Sequence, residues 1–184
     1  MLILFNKPYG VISQFSHHEK FKTLKDYINI PNVYPAGRLD ADSEGLIILT
    51  DNGALQNKIS SPKFKLQKKY WVQLDGDVNN DAIDLLRQGV RIKDYKTEPA
   101  EVKKIDEPNL WAREKPVRFR KEIPTSWIEI IISEGKNRQI RRMTAAVNFP
   151  TLRLIRVQIG NFSLNGLEPG NYSVIEDFKI NKMI

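Results

Sequence analysis

Leu46 to Thr50 reads Leu-Ile-Ile-Leu-Thr, an unbroken apolar run of strand length set between a charged stretch and Asp51-Asn52-Gly53. Such a run, apolar without alternation, predicts a central strand buried on both faces. The opening "MLILFNKPYGVISQF" predicts two short strands joined by a Pro-Tyr-Gly turn, because β-prone residues flank a turn signal. "TLKDYI" predicts a short helix capped by Thr23, and "DNGALQNKIS" a helix capped by Asp51 or Asn52. "KKYWVQLDG" reads as a strand, and "NNDAIDLLRQG" as a helix with an asparagine cap and a stop at Gly89. Residues 98–105 alternate as a further strand. Glu107 to Thr125 holds three prolines and the basic set Arg113, Lys115, Arg118, Arg120 and Lys121, which predicts a long loop crossing or linking two lobes. "SWIEIIIS" resumes the sheet, "NRQIRRMTAAVN" is a helix, and "LRLIRVQIGNF" is expected to be the final long strand. The irregular mixture of elements, without internal repeats, predicts an α+β fold.

Composition narrows the class. A chain of 184 residues can bury a sizeable core in one domain or in two small lobes. No apolar run approaches the ~20 residues that a membrane helix needs, and "MLILF" is too short for a signal-peptide core. A soluble, cytoplasmic protein is therefore expected. Cysteine is absent and there are two histidines, His17 and His18, so disulfides and thiolate or histidine metal sites are not expected. Lys and Arg number 29 against 22 Asp and Glu, and the net charge of +7 points to a polyanionic partner if the excess is clustered.

Clustering is visible in the last helix-forming stretch. At 100° per residue, Ile140, Met143, Thr144 and Val147 fall on one side of "NRQIRRMTAAVN", and Arg138, Arg141 and Arg142 on the other. Gly135 and Asn137 stand at the positive end of that helix, where backbone N–H groups favour an anion. Guanidinium groups match phosphate oxygens, so the arrangement suits nucleic acid. Tyr70 and Trp71 follow the basic "KLQKK" and point to opposite faces of their strand, one to the core and the other to a cleft where it can stack on a base.

"AGRLDADSEGLIILTDNG", "KKYWVQL" and "SEGKNRQIRRMTAAV" stand in an order and spacing that resembles the ribosomal RNA pseudouridine synthases of the RsuA type. The resemblance runs from "FNKPYGV" to "LRLIRVQIG", and "IPTSW" with "AAVNFPTLRLIRVQIGNFSL" looks most like the E-type members, which act on large-subunit RNA. It implies a single catalytic domain over residues 1–184 without an S4-like domain. The implied fold is a curved, mainly antiparallel sheet with flanking helices and an RNA-binding cleft between two lobes. By the same resemblance Asp40 matches the catalytic aspartate, Tyr70 the tyrosine that packs on the target base, and Arg141 the basic residue that pairs with the aspartate. Arg138 and Arg142 become candidates for neighbouring phosphates, with Arg38, Lys7 and the 113–121 loop as weaker ones. Asp42 and Glu44 match no catalytic position; "ADSEG" is expected to form a turn into the buried strand, with side-chain oxygens satisfying loose N–H groups.

The implied reaction breaks the N1–C1′ bond of a uridine, turns the uracil and joins its C5 to C1′. It requires an ionised carboxylate near C1′ and neither cofactor nor metal. The expected partner is ribosomal RNA, 23S RNA or a pre-ribosomal particle, met by a monomer. Two rivals share part of this equipment. A non-catalytic RNA-binding protein would have no use for Asp40, and a base-releasing glycosidase would want a second acid beside it.

Overall fold

The computed structural model describes residues 1–93, 95–118 and 120–175. Its main elements are strands β1 (Leu2–Lys7) and β2 (Glu44–Thr50), helix α1 (Gly53–Ser60), strand β3 (Lys68–Asp75), helix α2 (Asn80–Gln88), strands β4 (Glu101–Ile105) and β5 (Thr125–Ile132), helix α3 (Gln139–Ala146), and strands β6 (Thr151–Ile159) and β7 (Tyr172–Ile175). They fall into two compact units. One holds Met1–Leu66 and the described chain from Arg156 to Ile175, and the other holds the described residues of Gln67–Ile155. The boundary falls inside β6.

In the first unit the strand order is β7–β1–β2, with the Arg156–Ile159 part of β6 beside β2. β1 pairs antiparallel with β2 from Leu2↔Thr50 to Lys7↔Gly45, and with β7 from Leu2↔Ile175 to Phe5↔Tyr172. Leu46, Ile47, Ile48 and Leu49 are all at 0% exposure, as the unbroken apolar run predicts. Each such side chain contributes about 1.5–3 kcal/mol of burial. One face of the strands packs Leu2, Leu4, Leu46, Ile48 and Ile159 with Ile59 of α1. Asn52 is the cap of α1, its Oδ1 accepting from Leu55 N–H at 3.0 Å. Thr23 precedes a single 3-10 turn, Leu24–Asp26, and its N–H donates to the Asp26 carboxylate at 2.6 Å. Val11–Ile12 pairs in parallel with Lys22–Thr23.

In the second unit the order is β3–β5–β4. β5 pairs antiparallel with β3 from Thr125↔Asp75 to Ile132↔Lys68, and with β4 from Trp127↔Ile105 to Ile131↔Glu101. Asn79 caps α2 by accepting from Ala82 N–H at 2.9 Å. Gly89 ends that helix at φ +83°, where a Cβ would stand 2.3 Å from Thr97 O. The α+β reading and the mainly antiparallel pairing are borne out.

Three expectations are corrected. The strand expected from residue 98 begins at Glu101, because Glu98 N–H donates to Glu134 Oε2, Ala100 N–H donates to Arg87 O, and Pro99 has no N–H. "LRLIRVQIGNF" forms the final long strand but stops short of its expected end: β6 ends at Ile159, the chain turns at Gly160, Phe162–Ser163 pairs back onto β6, and the short β7 follows. The linking role expected for Glu107 to Thr125 is not found, since the described residues of that segment lie within the second unit.

Candidate active site

The first unit gathers charge around "GRLDADSEG". Ala36 and Leu39 are buried and hold the segment to the core, leaving Arg38 exposed between them. Asp40 is half-buried and opens a turn in which Ser43 N–H donates to Asp40 O at 3.1 Å. Both neighbours of Asp40 are tied to the N-terminal segment. Leu39 N–H donates to Ser13 Oγ at 3.0 Å and Ser13 Oγ donates to Leu39 O at 2.8 Å, while Ala41 O accepts from Gly10 N–H at 2.8 Å.

Behind this loop lie charges that sequence pattern alone placed elsewhere. Lys7, expected as a weak RNA contact, is at 0% exposure and donates to Pro8 O at 2.9 Å and Val11 O at 2.6 Å. It is correctly a structural cation, not a surface one. Burial pushes its pKa down to about 7; the Glu44 and Asp42 carboxylates oppose that, Arg156 adds to it, and Asp40 opposes it weakly. Glu44, placed by the sequence in the turn that leads into the strand, is 1% exposed and is the first residue of β2. Arg156 is 4% exposed and donates from Nε to Leu46 O at 2.8 Å. Gly45 makes that approach possible: at φ +104°, a Cβ there would stand 2.3 Å from Arg156 O. An arginine inside the apolar "LRLIRVQI" was the available signal that a carboxylate had to be buried too, since buried charges occur paired.

The second unit carries the other candidates. Tyr70 is the more buried member of its pair at 7% exposure, so alternation alone would give stacking to Trp71, and a base-packing role for Tyr70 rests on its motif. Trp71 stands half-buried on the opposite face of β3 and donates from Nε1 to Glu129 Oε2 at 3.2 Å. Burial pushes the Glu129 pKa up, but hydrogen bonds from Lys103 and Trp71 and the charge of Lys69 more than offset it, so the carboxyl lies below its usual range.

On α3, Ile140, Met143 and Thr144 are buried as the periodicity predicts, and so is Val147, just past its end. Arg138 is exposed, at φ +51° as the residue before the helix. Arg141 is half-buried, its Nη1 3.5 Å from Thr151 O, and Arg142 folds back to donate to Asn137 Oδ1 at 2.7 Å. The helix start is less open to an anion than expected, because its first N–H group, that of Gln139, donates to Lys136 O at 3.1 Å. In the 113–121 loop Arg120 pairs with Asp75 at 3.3 Å and Arg113 Nε donates to Lys115 O, so part of its charge serves local structure. Among the described residues no group of histidines and carboxylates forms a metal site, and no helix is long and apolar enough to cross a membrane.

The sequence profile of the RNA pseudouridylate synthase family matches residues 1–146. The chain is 53% identical over 175 residues to the ribosomal large subunit pseudouridine synthase E of Vibrio parahaemolyticus, covering 95% of this chain and 74% of that one. It is 50% identical over 177 residues to the protein of the same name from Xanthomonas campestris, covering 95% of each. A crystal structure of a pseudouridylate synthase superposes with a TM-score of 0.82 at 27% identity, over 100% of this chain and 73% of that one.

Proposed function

The chain belongs to the RNA pseudouridylate synthase family, and we propose that it isomerises a uridine of large-subunit ribosomal RNA to pseudouridine with Asp40 as the reactive carboxylate. The observation that carries the assignment is the mounting of Asp40. Its carboxylate is half-buried, its two chain neighbours are hydrogen-bonded to the Gly10–Ser13 segment, and the buried cation Lys7 lies within its field. A group that must meet a sugar carbon at fixed geometry needs such a mounting.

Cleavage of the N1–C1′ bond leaves electron deficiency at C1′, which an ionised carboxylate stabilises either by adding to C1′ or by taking the C2′ proton. The uracil then turns, C5 joins C1′, C5 loses its proton and N1 ends protonated, so the isomerisation balances without any redox partner. Asp40 supplies the negative charge on either route. The uridine must leave its stack first, at a cost of a few kcal/mol.

Tyr70 is assigned to pack on the base and Arg141 to favour the ionised form of Asp40; both roles follow from their motifs. Arg38 and Arg138 are exposed and suited to phosphates, whereas Arg142 must first release Asn137. A ribosomal RNA substrate places the reaction in the cytoplasm. No observation favours a non-catalytic RNA-binding protein. The test uses ribosomal RNA carrying tritium at uridine C5: the enzyme releases tritium to water while the nucleotide stays in the chain. Free uracil or an abasic site would make the protein a base-releasing hydrolase instead.

A further inference from the structure

Ser13 lies in "GVISQ", outside the motifs that carry the family resemblance, and is 4% exposed. Its hydroxyl donates to Leu39 O at 2.8 Å and accepts from Leu39 N–H at 3.0 Å, so both backbone polar groups of the residue before Asp40 end on one side-chain atom. A hydroxyl has one donor, and here that donor is spent. On the far side of Asp40, Gly10 N–H holds Ala41 O. Lys7 ties the stretch between these anchors by donating to Pro8 O and Val11 O, and Leu24 N–H donates to Gln14 O just beyond it. The backbone of Asp40 is therefore bracketed by a segment that is itself fixed.

We propose that Ser13 is a positioning residue for uridine isomerisation, acting through Leu39 to hold the Asp40 carboxylate at the reacting sugar. The proposal rests on the assignment of Asp40. Without the hydroxyl, Leu39 keeps its place in the core through its side chain, 9% exposed, but its N–H and C=O lose their common partner. The peptide leading into Asp40 can then rotate to find others. A displacement of about 1 Å in a reacting group costs on the order of 100-fold in rate. RNA affinity should not change, because Ser13 is buried and phosphates are met by exposed cations.

The experiment is single-turnover pseudouridine formation by the full chain, with enzyme in excess over ribosomal RNA taken from cells lacking this gene. Wild type, Ser13→Ala, Ser13→Cys and Asp40→Asn are compared, with melting curves for each. Ser13→Ala should lower the rate at saturation by about 10- to 100-fold and leave the half-saturating enzyme concentration within about twofold. Ser13→Cys is slightly larger and hydrogen-bonds only weakly, and its rate should fall between those of Ser13→Ala and wild type. A wild-type rate in either folded Ser13 variant overturns the proposal. So does a loss that disappears on correction for the folded fraction, or one that appears only as weaker RNA binding. Turnover by Asp40→Asn would instead sink the assignment of Asp40, and this proposal with it, whatever the Ser13 variants do.

Discussion

The segment from Ala36 to Gly45 and the segment from Gly135 to Arg142 both concentrate charge, and the protein treats the two in opposite ways. Around the first, Lys7, Glu44 and Arg156 are withdrawn from water and spent on one another's fields and on backbone oxygens. Along the second, Arg138 is exposed, Lys136 lies at the surface over the Tyr95 ring and 3.9 Å from Glu134, and Arg142 reaches a neighbouring asparagine. Buried charge is costly to take from water and is stable only with its partners in place. Cations at the surface keep most of their hydration and lose little when a local partner is exchanged for a phosphate. The difference separates a rigid mount for one reactive carboxylate from a surface that adapts to RNA.

Removing a member of the buried set should have the largest effect on stability. Glu44→Gln removes the carboxylate that most favours the buried Lys7 ammonium, and urea unfolding should show a loss of about 3 kcal/mol, the low end for a broken buried charge set, because Lys7 can shed its proton. This is more than the cap-sized loss of about 0.5–2 kcal/mol that a turn role for Glu44 implies. A change within ~0.5 kcal/mol would return Glu44 to that turn role.

Lys7 offers a finer test through pH. Its pKa falls from 10.5 unfolded to about 7 folded, so between those values the unfolded chain binds more protons and unfolding must take one up. Stability relative to Lys7→Met should therefore rise as pH increases from 7 toward 10, and be flat and lowest below 7. The check is a series of urea titrations of both proteins across that range, and a relative stability that falls with rising pH would contradict the burial argument.

The smallest effect is expected in the exposed segment. Arg138→Ala should leave unfolding unchanged within ~0.5 kcal/mol. In RNA binding it should flatten the log–log dependence on salt by about one unit for each phosphate that the arginine no longer meets. An unchanged slope would take Arg138 out of the RNA interface and blur the contrast between the two segments.

Much of this was legible from local pattern. The run 46–49, the asparagine caps of α1 and α2, and the apolar side of α3 are set by neighbours within a turn or two, and periodicity reports them. The motif around Asp40 was legible as a resemblance. The depth at which Lys7, Glu44 and Arg156 sit was not, because a charge is read as exposed until its partner is known, and Arg156 is far along the chain from the other two. The serine bracket on Leu39 was hidden for a similar reason: a lone Ser13 looks like any other serine, and its function lies in backbone groups of another segment. β7 was missed because "YSVI" is short and is defined by its pairing with β1.

The central claim is that one carboxylate of "GRLDADSEG" reacts and the others hold it. Its most direct test is single-turnover pseudouridine formation by Asp40→Asn and Asp42→Asn, each checked by a melting curve. Asp40→Asn keeps the side chain's size and most of its polar contacts, so it should fold, bind RNA and form no detectable pseudouridine. Asp42→Asn should turn over at a modestly reduced rate. If Asp40→Asn forms pseudouridine while a well-folded Asp42→Asn does not, the reactive carboxylate lies two residues later and the account of the mount is wrong.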